Sequence, residues 1–261
     1  MPNVAVEVSI KLGTERLNAK FTVPEEPIEP ADLLPIARAI THRVIDSAIE
    51  ELPSGEEIAC KAGCGACCRQ LVPISQTEAR MLAFLVRDMP EPRRRVLAER
   101  FKAAKESLIA AGMWDKLLDR ANWEPDDVRK VGLAYFHLGI PCPFLEDEAC
   151  SIHPDRPLSC REYLVTSDPK YCAAVDGENI RQVPIALKVS AAMNRMSPTK
   201  PGAIFHPWVP LTQIFDWVVA NPEPPPPEPG RQLTERFLRN LETTPATDAP
   251  NCAPPAPVAE V

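Results

Sequence analysis

Four cysteines fall within nine residues, Cys60-Lys-Ala-Gly-Cys64-Gly-Ala-Cys67-Cys68, and four more, Cys142, Cys150, Cys160 and Cys172, follow in a second stretch. Thiolates are soft metal ligands, and Cys-x3-Cys and Cys-x2-Cys spacings let one tight loop turn two sulfurs toward a point about 2.3 Å from each. Gly63 and Gly65 offer the backbone freedom that such a loop demands. The second group lies among Pro141, Pro143, Pro154, Pro157 and Pro169, and a proline-stiffened loop holds its thiolates at low entropic cost. A site built from two distant segments couples metal binding to folding. Adjacent Cys67 and Cys68 are the odd feature, because neighbouring side chains diverge. Either one of them serves a second site, or one is a bridging or spare thiol. Eight thiols are twice the need of a four-coordinate zinc site, which leaves two mononuclear sites, an iron–sulfur cluster with extra thiols, or two clusters. The count favours more than one metal atom. Cys252, the ninth cysteine, stands alone in a proline-rich terminal stretch and reads as a non-ligand.

Arg156 and Arg161 flank Cys160. A four-thiolate zinc or iron–sulfur centre is left with net negative charge, which guanidinium groups neutralise by hydrogen bonding to sulfur; the competing role for Arg156 is an ordinary surface ion pair. His153 follows Cys150 by three residues and has a ligating nitrogen, but with thiols in surplus it reads as a neighbour of the metal shell. His137, beside Phe136 on an expected helix, reads as a packing residue.

Taken together, Cys60-x3-Cys64-x2-Cys67-Cys68, Ile140-Pro-Cys142-Pro-Phe-Leu145, Cys150-Ser-Ile-His153, Arg156-Pro157 and Cys160-Arg161-Glu-Tyr163 resemble the YkgJ-type cysteine-cluster family, described as a zinc- or iron-chelating domain. The resemblance covers about residues 55–175. It implies that Cys60, Cys64, Cys67, Cys68, Cys142, Cys150 and Cys160 form the chelating set, with Cys172 as an eighth member. His153 stands where that family usually shows tyrosine. The implied cofactor is zinc or iron, the latter as a 4Fe-4S cluster in one version.

Three functions follow. The first is a metal-binding protein without chemistry of its own, whose ion organises the loops and whose helices offer a platform to a protein partner; no Ser-His-Asp set, P-loop or dinucleotide fingerprint is present. The second is an iron–sulfur enzyme related to S-adenosylmethionine-dependent protein lysine methylation. Cys60-x3-Cys64-x2-Cys67 has the radical S-adenosylmethionine spacing, and a flagellin lysine N-methylase is similar to this family in its cysteine pattern. Against it, a helix rather than a strand is expected before the motif, and no βα alternation follows. The third is metal storage, delivery or sensing by exchangeable vicinal thiols.

The 261 residues carry 29 basic and 36 acidic side chains, a net charge of −7, which argues against a nucleic-acid partner. The run Arg93-Arg94-Arg95 reads as a solvated helix face. No stretch approaches the roughly 20 apolar residues of a membrane span, and no basic-then-apolar leader opens the chain, so a soluble, cytoplasmic protein is expected. In that reducing setting nine thiols read as metal ligands rather than disulfides.

The elements that must position the cysteines follow from periodicity. Val4, Val6, Val8 and Ile10, then Leu17, Ala19, Phe21 and Val23, alternate about a glycine-containing break and predict a β-hairpin. Leu33, Ala37, Ile40, Val44, Ile45, Ala48 and Leu52 lie on one stripe of a helix over 32–52. Ser75-Gln-Thr-Glu78 is a capping box before a helix over 79–89. Pro92 opens a longer helical stretch to about Asn122, broken near Gly112, with Val96, Leu97, Phe101, Ala104, Leu108 and Ile109 inward and Leu117, Leu118 and Trp123 continuing the core. Residues 139–175 read as irregular, 179–196 as a helix, and 210–220 as a short one. Of the 31 prolines, 11 lie between Pro222 and Pro257. Pro222 to Gly230 is expected as an extended spacer, 232–242 as a short amphipathic helix, and the remainder as disordered. The expected fold is α+β and mainly helical: an N-terminal hairpin and linker (1–30), a helical cysteine-cluster metal-binding domain (31–221), and a proline-rich spacer, helix and tail (222–261).

Overall fold

The structure, a computed structural model, describes residues 3–12, 15–174, 179–201 and 203–242. Alternation builds the first element: β1 (Asn3–Leu12) pairs antiparallel with β2 (Glu15–Pro24), with Val6 opposite Phe21 and Val8 opposite Ala19. A two-residue strand, β3 (Pro27–Ile28), leads to a turn of 3-10 helix and then α1 (Leu34–Glu50), which buries Ala37, Ile40, Val44 and Ala48. After the first cysteine loop come β4 (Pro73–Ile74) and α2 (Gln76–Asp88). The capping box forms as expected: the Glu78 N–H donates to Ser75 Oγ at 3.1 Å and the Ser75 N–H to Glu78 Oε2 at 3.0 Å. It starts the helix three residues earlier than the apolar pattern alone suggests.

Pro92 sits in the first turn of α3 (Glu91–Ala110), Gly112 breaks it at φ +65°, and α4 (Met113–Leu118) and α5 (Pro125–His137) follow. Leu97, Phe101, Ala104 and Leu108 are buried as expected, whereas Val96, Ile109 and Leu118 face solvent. Each of those three is next in sequence to a buried Leu97, Leu108 or Leu117, and a helix turns adjacent residues about 100° apart.

The second cysteine stretch holds a small hairpin, β5 (Leu145–Glu146) with β6 (Ala149–Cys150), and two short helices, α6 (Leu158–Arg161) and α7 (Pro169–Ala174). The helix expected over 179–196 shrinks to α8 (Val189–Asn194). The preceding residues are extended instead: the Thr166 N–H donates to Arg181 O, the Val183 N–H to Leu164 O, and Val165 bridges Gln182. Those bonds occupy the Val183 donor and the Arg181 acceptor that a helix would use, and Pro184 has no donor to offer.

The chain closes with β7 (Val209–Pro210) paired to β4, α9 (Ile214–Ala220), β8 (Glu228–Pro229) paired to β3, and α10 (Gly230–Glu242). The expected free spacer is a docked strap. Arg80 donates to Glu223 O at 2.6 Å and stacks over Trp217, and Gly230 meets the β2 end so closely that a Cβ would lie 2.1 Å from Pro24 O. Leu233, Phe237, Leu238 and Leu241 of α10 share one core with Val6, Val8, Ile10, α1 and Met193. Two further cores lie around Trp114, Trp123 and Trp208 and around Phe101, Phe144 and Ile214. The described strands form four antiparallel pairs. Among the described residues no helix is long and apolar enough to cross a membrane. Cys252 and the expected disordered tail lie outside the described residues.

Candidate metal centre

The first cysteine loop hangs from the body by one bond, the Ala59 N–H to Val165 O at 2.9 Å, and then makes two successive turns. The Cys64 N–H closes the first on Lys61 O at 3.1 Å, with Gly63 at φ +82°, a conformation that side-chain-bearing residues resist. The Cys68 N–H closes the second on Gly65 O at 2.9 Å. Gly65 differs from the sequence expectation. Its role is space rather than backbone freedom: a Cβ there would lie 2.6 Å from Leu145 Cδ1 and 2.8 Å from Glu148 O.

Those two neighbours belong to the second cysteine group, which the loop meets face to face. The Cys142 N–H donates to Cys68 O at 2.7 Å, and the Leu145 N–H to Cys142 O at 2.8 Å. Cys150 lies on β6 opposite Leu145. The hairpin turn uses Asp147 and Glu148, both at positive φ (47° and 57°), the left-handed pair of a two-residue hairpin turn, here built without glycine. Arg69 grips that turn, donating to both Glu148 carboxylate oxygens (2.6 and 3.0 Å) and to Gly65 O (3.1 Å). Arg93 and Arg100 both pair with Glu146, so the arginine run expected as a purely solvated face contributes one residue to holding this hairpin.

Cys160 is carried by α6, whose first N–H, that of Leu158, donates to the buried Glu78 carboxylate at 2.8 Å. Cys172 is buried on α7, packed with Val165 and Ile180 against Cys60, Ala66 and Tyr163. Cys60, Cys64, Cys67, Cys68, Cys142, Cys150 and Cys160 are half-buried, and all eight are free thiols. An open cavity of about 450 Å³ lined by Arg100, Ser107, Ile140 and Cys142 reaches the cluster from the α3 side.

The thiols are a crowded, desolvated set. Burial pushes the Cys142 thiol up to about 12, with Cys150 and Cys67 adding in the same direction. Burial likewise raises Cys60, Cys150 and Cys160, and Cys172 to about 11, each further raised by neighbouring thiols. Cys67 stands well above its ordinary value, first through its hydrogen bond with Cys68 and then through burial. Burial and crowding both penalise thiolate charge, and a bound cation reverses that penalty. The donor chemistry therefore fits a thiophilic metal. As they stand, the side chains are not a finished cage: among the described residues no group of three or more His, Cys, Asp and Glu side chains is arranged to hold a metal ion.

The three flanking residues separate. Arg156 is the cation that opposes the thiol crowding, lowering Cys60, Cys67, Cys150 and Cys160, and its buried Nε has no hydrogen-bond partner. Arg161 is buried but committed elsewhere, to Arg156 O at 3.0 Å, to Pro154 O and to His42 Nε2 at 3.0 Å. His153 is exposed, and the Arg156 charge holds its imidazole below the ordinary value. His137 ends α5 with its ring against Phe136. Sequence reasoning missed Gly65 as a contact point, Arg69, Glu148 and the bond by which Glu78, besides its capping role, holds the start of α6. The Glu146-Asp-Glu148 turn chemistry before Cys150 is a signal that could have marked the hairpin.

No curated protein and no solved structure matches the chain. Residues 59–177 match the model of a domain family that carries the CxxCxxCC motif, and this is the stretch that holds both cysteine groups. Residues 59–177 are thus similar to the CxxCxxCC family, which is described as a zinc- or iron-chelating domain.

Proposed function

We propose that the chain binds zinc or iron through its cysteine cluster, with the thiolates of Cys60, Cys64, Cys67, Cys142, Cys150, Cys160 and Cys172 as ligands and Cys68 beside them. The observation that carries this reading is the face-to-face seating of two cysteine groups distant in sequence, joined backbone to backbone at Cys142 and Cys68. Ligation removes the thiol protons, and the attraction of thiolates to the cation offsets the burial and crowding that penalise their charge. The side chains close around the ion as they deprotonate, so binding and local ordering are one event. Arg156 offsets the surplus negative charge of the loaded centre, with its unpartnered Nε available to a ligating sulfur.

Structural metal binding is favoured over exchange of a mobile ion by the burial of Cys172 within its apolar cluster. It is favoured over radical methyl-transfer chemistry by the strand pattern, which has antiparallel pairs where a barrel enzyme has parallel strands. A reducing, cytoplasmic setting keeps the thiols free for this role. The test is anaerobic purification followed by metal and acid-labile sulfide analysis. Stoichiometric zinc or iron that is lost in serine variants of either cysteine group supports the reading. Metal-free protein that resists reconstitution with both zinc(II) and iron(II) overturns it.

A further inference from the structure

Resting on that reading, we propose that the thiols divide into two sets, Cys60, Cys64 and Cys172 on one side and Cys142, Cys150 and Cys160 on the other, with Cys67 shared between two metal ions.

The packing already separates the two sides. Cys60 and Cys172 belong to the small cluster of Val165, Ile180 and Tyr163, and Cys64 is in the same loop as Cys60, one turn on. Cys142 and Cys150 pack instead into the core of Phe144, Ile152 and Phe101, and Cys160 sits on the short helix that follows Ile152. Cys67 lies on the seam. On its N-terminal side, Ala66 packs into the Val165 cluster; on its C-terminal side, the Cys68 carbonyl receives the Cys142 N–H at 2.7 Å.

Coordination number supplies the chemical reason for sharing. Three thiols on each side fall one short of the four that a tetrahedral thiolate ion takes, and one thiolate sulfur has lone pairs for two metals. Cys68 answers the puzzle of the vicinal pair. Its contributions are the backbone carbonyl, which accepts the Cys142 N–H, and a side-chain hydrogen bond with the Cys67 sulfur.

Cobalt(II) titration of the reduced, metal-free full-length chain tests this. Isolated high-spin cobalt(II) is visible by electron paramagnetic resonance, and a pair bridged by one thiolate is antiferromagnetically coupled and loses that signal. The expected result is sulfur-to-cobalt charge-transfer absorption rising to two ions per chain, with the resonance growing to one equivalent and falling below that level at two. Cys68→Ser keeps this behaviour, and Cys67→Ser abolishes the loss of signal. Should Cys67→Ser not fold, Cys172→Ser and Cys150→Ser each still take up one cobalt whose signal persists, because each removes a ligand from one set only. Two ions whose signals simply add, a single ion per chain, or an iron protein with acid-labile sulfide would overturn the shared thiolate while leaving metal binding intact. No cobalt uptake at all would overturn the metal-binding reading itself.

Discussion

The hairpin end and the cysteine end of this molecule are held together by different forces. At the hairpin end, Val6, Val8, Ile10 and Val23 meet α1 and α10 in an apolar core where Leu33, Leu233 and Phe237 have no exposed surface. At the cysteine end, one small hairpin is gripped by Arg69, Arg93 and Arg100, a glycine admits the neighbouring loop, and most of the thiols are half-buried. Burial is non-directional and tolerates approximate shapes, whereas ion pairs and thiol contacts depend on geometry, salt and the charge state of sulfur. Ion pairs occur at the hairpin end too, as between Lys20 and Glu7, but there they lie outside an apolar core, whereas around the cysteines they hold the loops themselves.

Breaking the apolar side has the largest effect on stability. Phe237→Ala empties a fully buried site and lowers unfolding free energy by about 3–5 kcal/mol, read from urea denaturation. If the two ends are distinct in kind, the metal stoichiometry of the folded fraction is unchanged; a parallel loss of metal would erase the distinction.

Glu78 joins the two ends and comes next. Its buried carboxylate accepts from the Ser75 N–H and Oγ and from the Leu158 N–H, and Glu78→Ala strands those donors at a cost of about 2–4 kcal/mol. The pH dependence has a definite sign. Burial raises the Glu78 carboxyl above its ordinary value of 4.5, so the folded protein holds a proton that the unfolded chain releases. The resulting stability is fully present below 4.5 and is lost as pH rises through the raised value. The difference in unfolding free energy between wild type and Glu78→Ala therefore shrinks from pH 4.5 upward; a difference that grows with pH would contradict burial as the controlling cause.

Gly65→Ala sharpens the cysteine side. The new methyl meets the Glu148 backbone, so the loop must back away, costing about 1–3 kcal/mol of overpacking. The measurement that matters is metal affinity, expected to fall by overpacking, whereas Gly63→Ala, whose methyl meets open space, is strained by its φ of +82° instead. The smallest effect belongs to the exposed Arg69–Glu148 pair. Arg69→Ala weakens metal binding modestly, and the exchange of charges in Arg69→Glu with Glu148→Arg recovers part of the loss at low salt, read by chelator competition.

Much of this was legible in sequence for physical reasons that vary by element. The hairpin register follows from strict alternation, and the Ser75–Glu78 box and the Gly112 break are local signals that act within one turn. The cysteine groups were visible as spacing, and their meeting was implied by family resemblance. What stayed hidden depends on distant partners. Residues 179–188 have helical apolar spacing but pair their backbone with Leu164 and Thr166, and the proline strap looks extended and unattached until Arg80, Trp217 and Ile28 are brought beneath it. Gly65 reads as a flexible loop glycine because nothing near it in sequence announces the Glu148 turn.

The pairing of Glu228–Pro229 with Pro27–Ile28, and of α10 with the hairpin, bears on how the chain is made. The hairpin leaves the ribosome before the helix that covers it, so the apolar face of Val6, Val8 and Ile10 waits for Phe237 to emerge. Both cysteine groups emerge in that interval. The slowest contacts to form are then the long-range ones that seal the hairpin. A nascent chain stalled before residue 230 would present a complete set of thiols on a body still open at its other end.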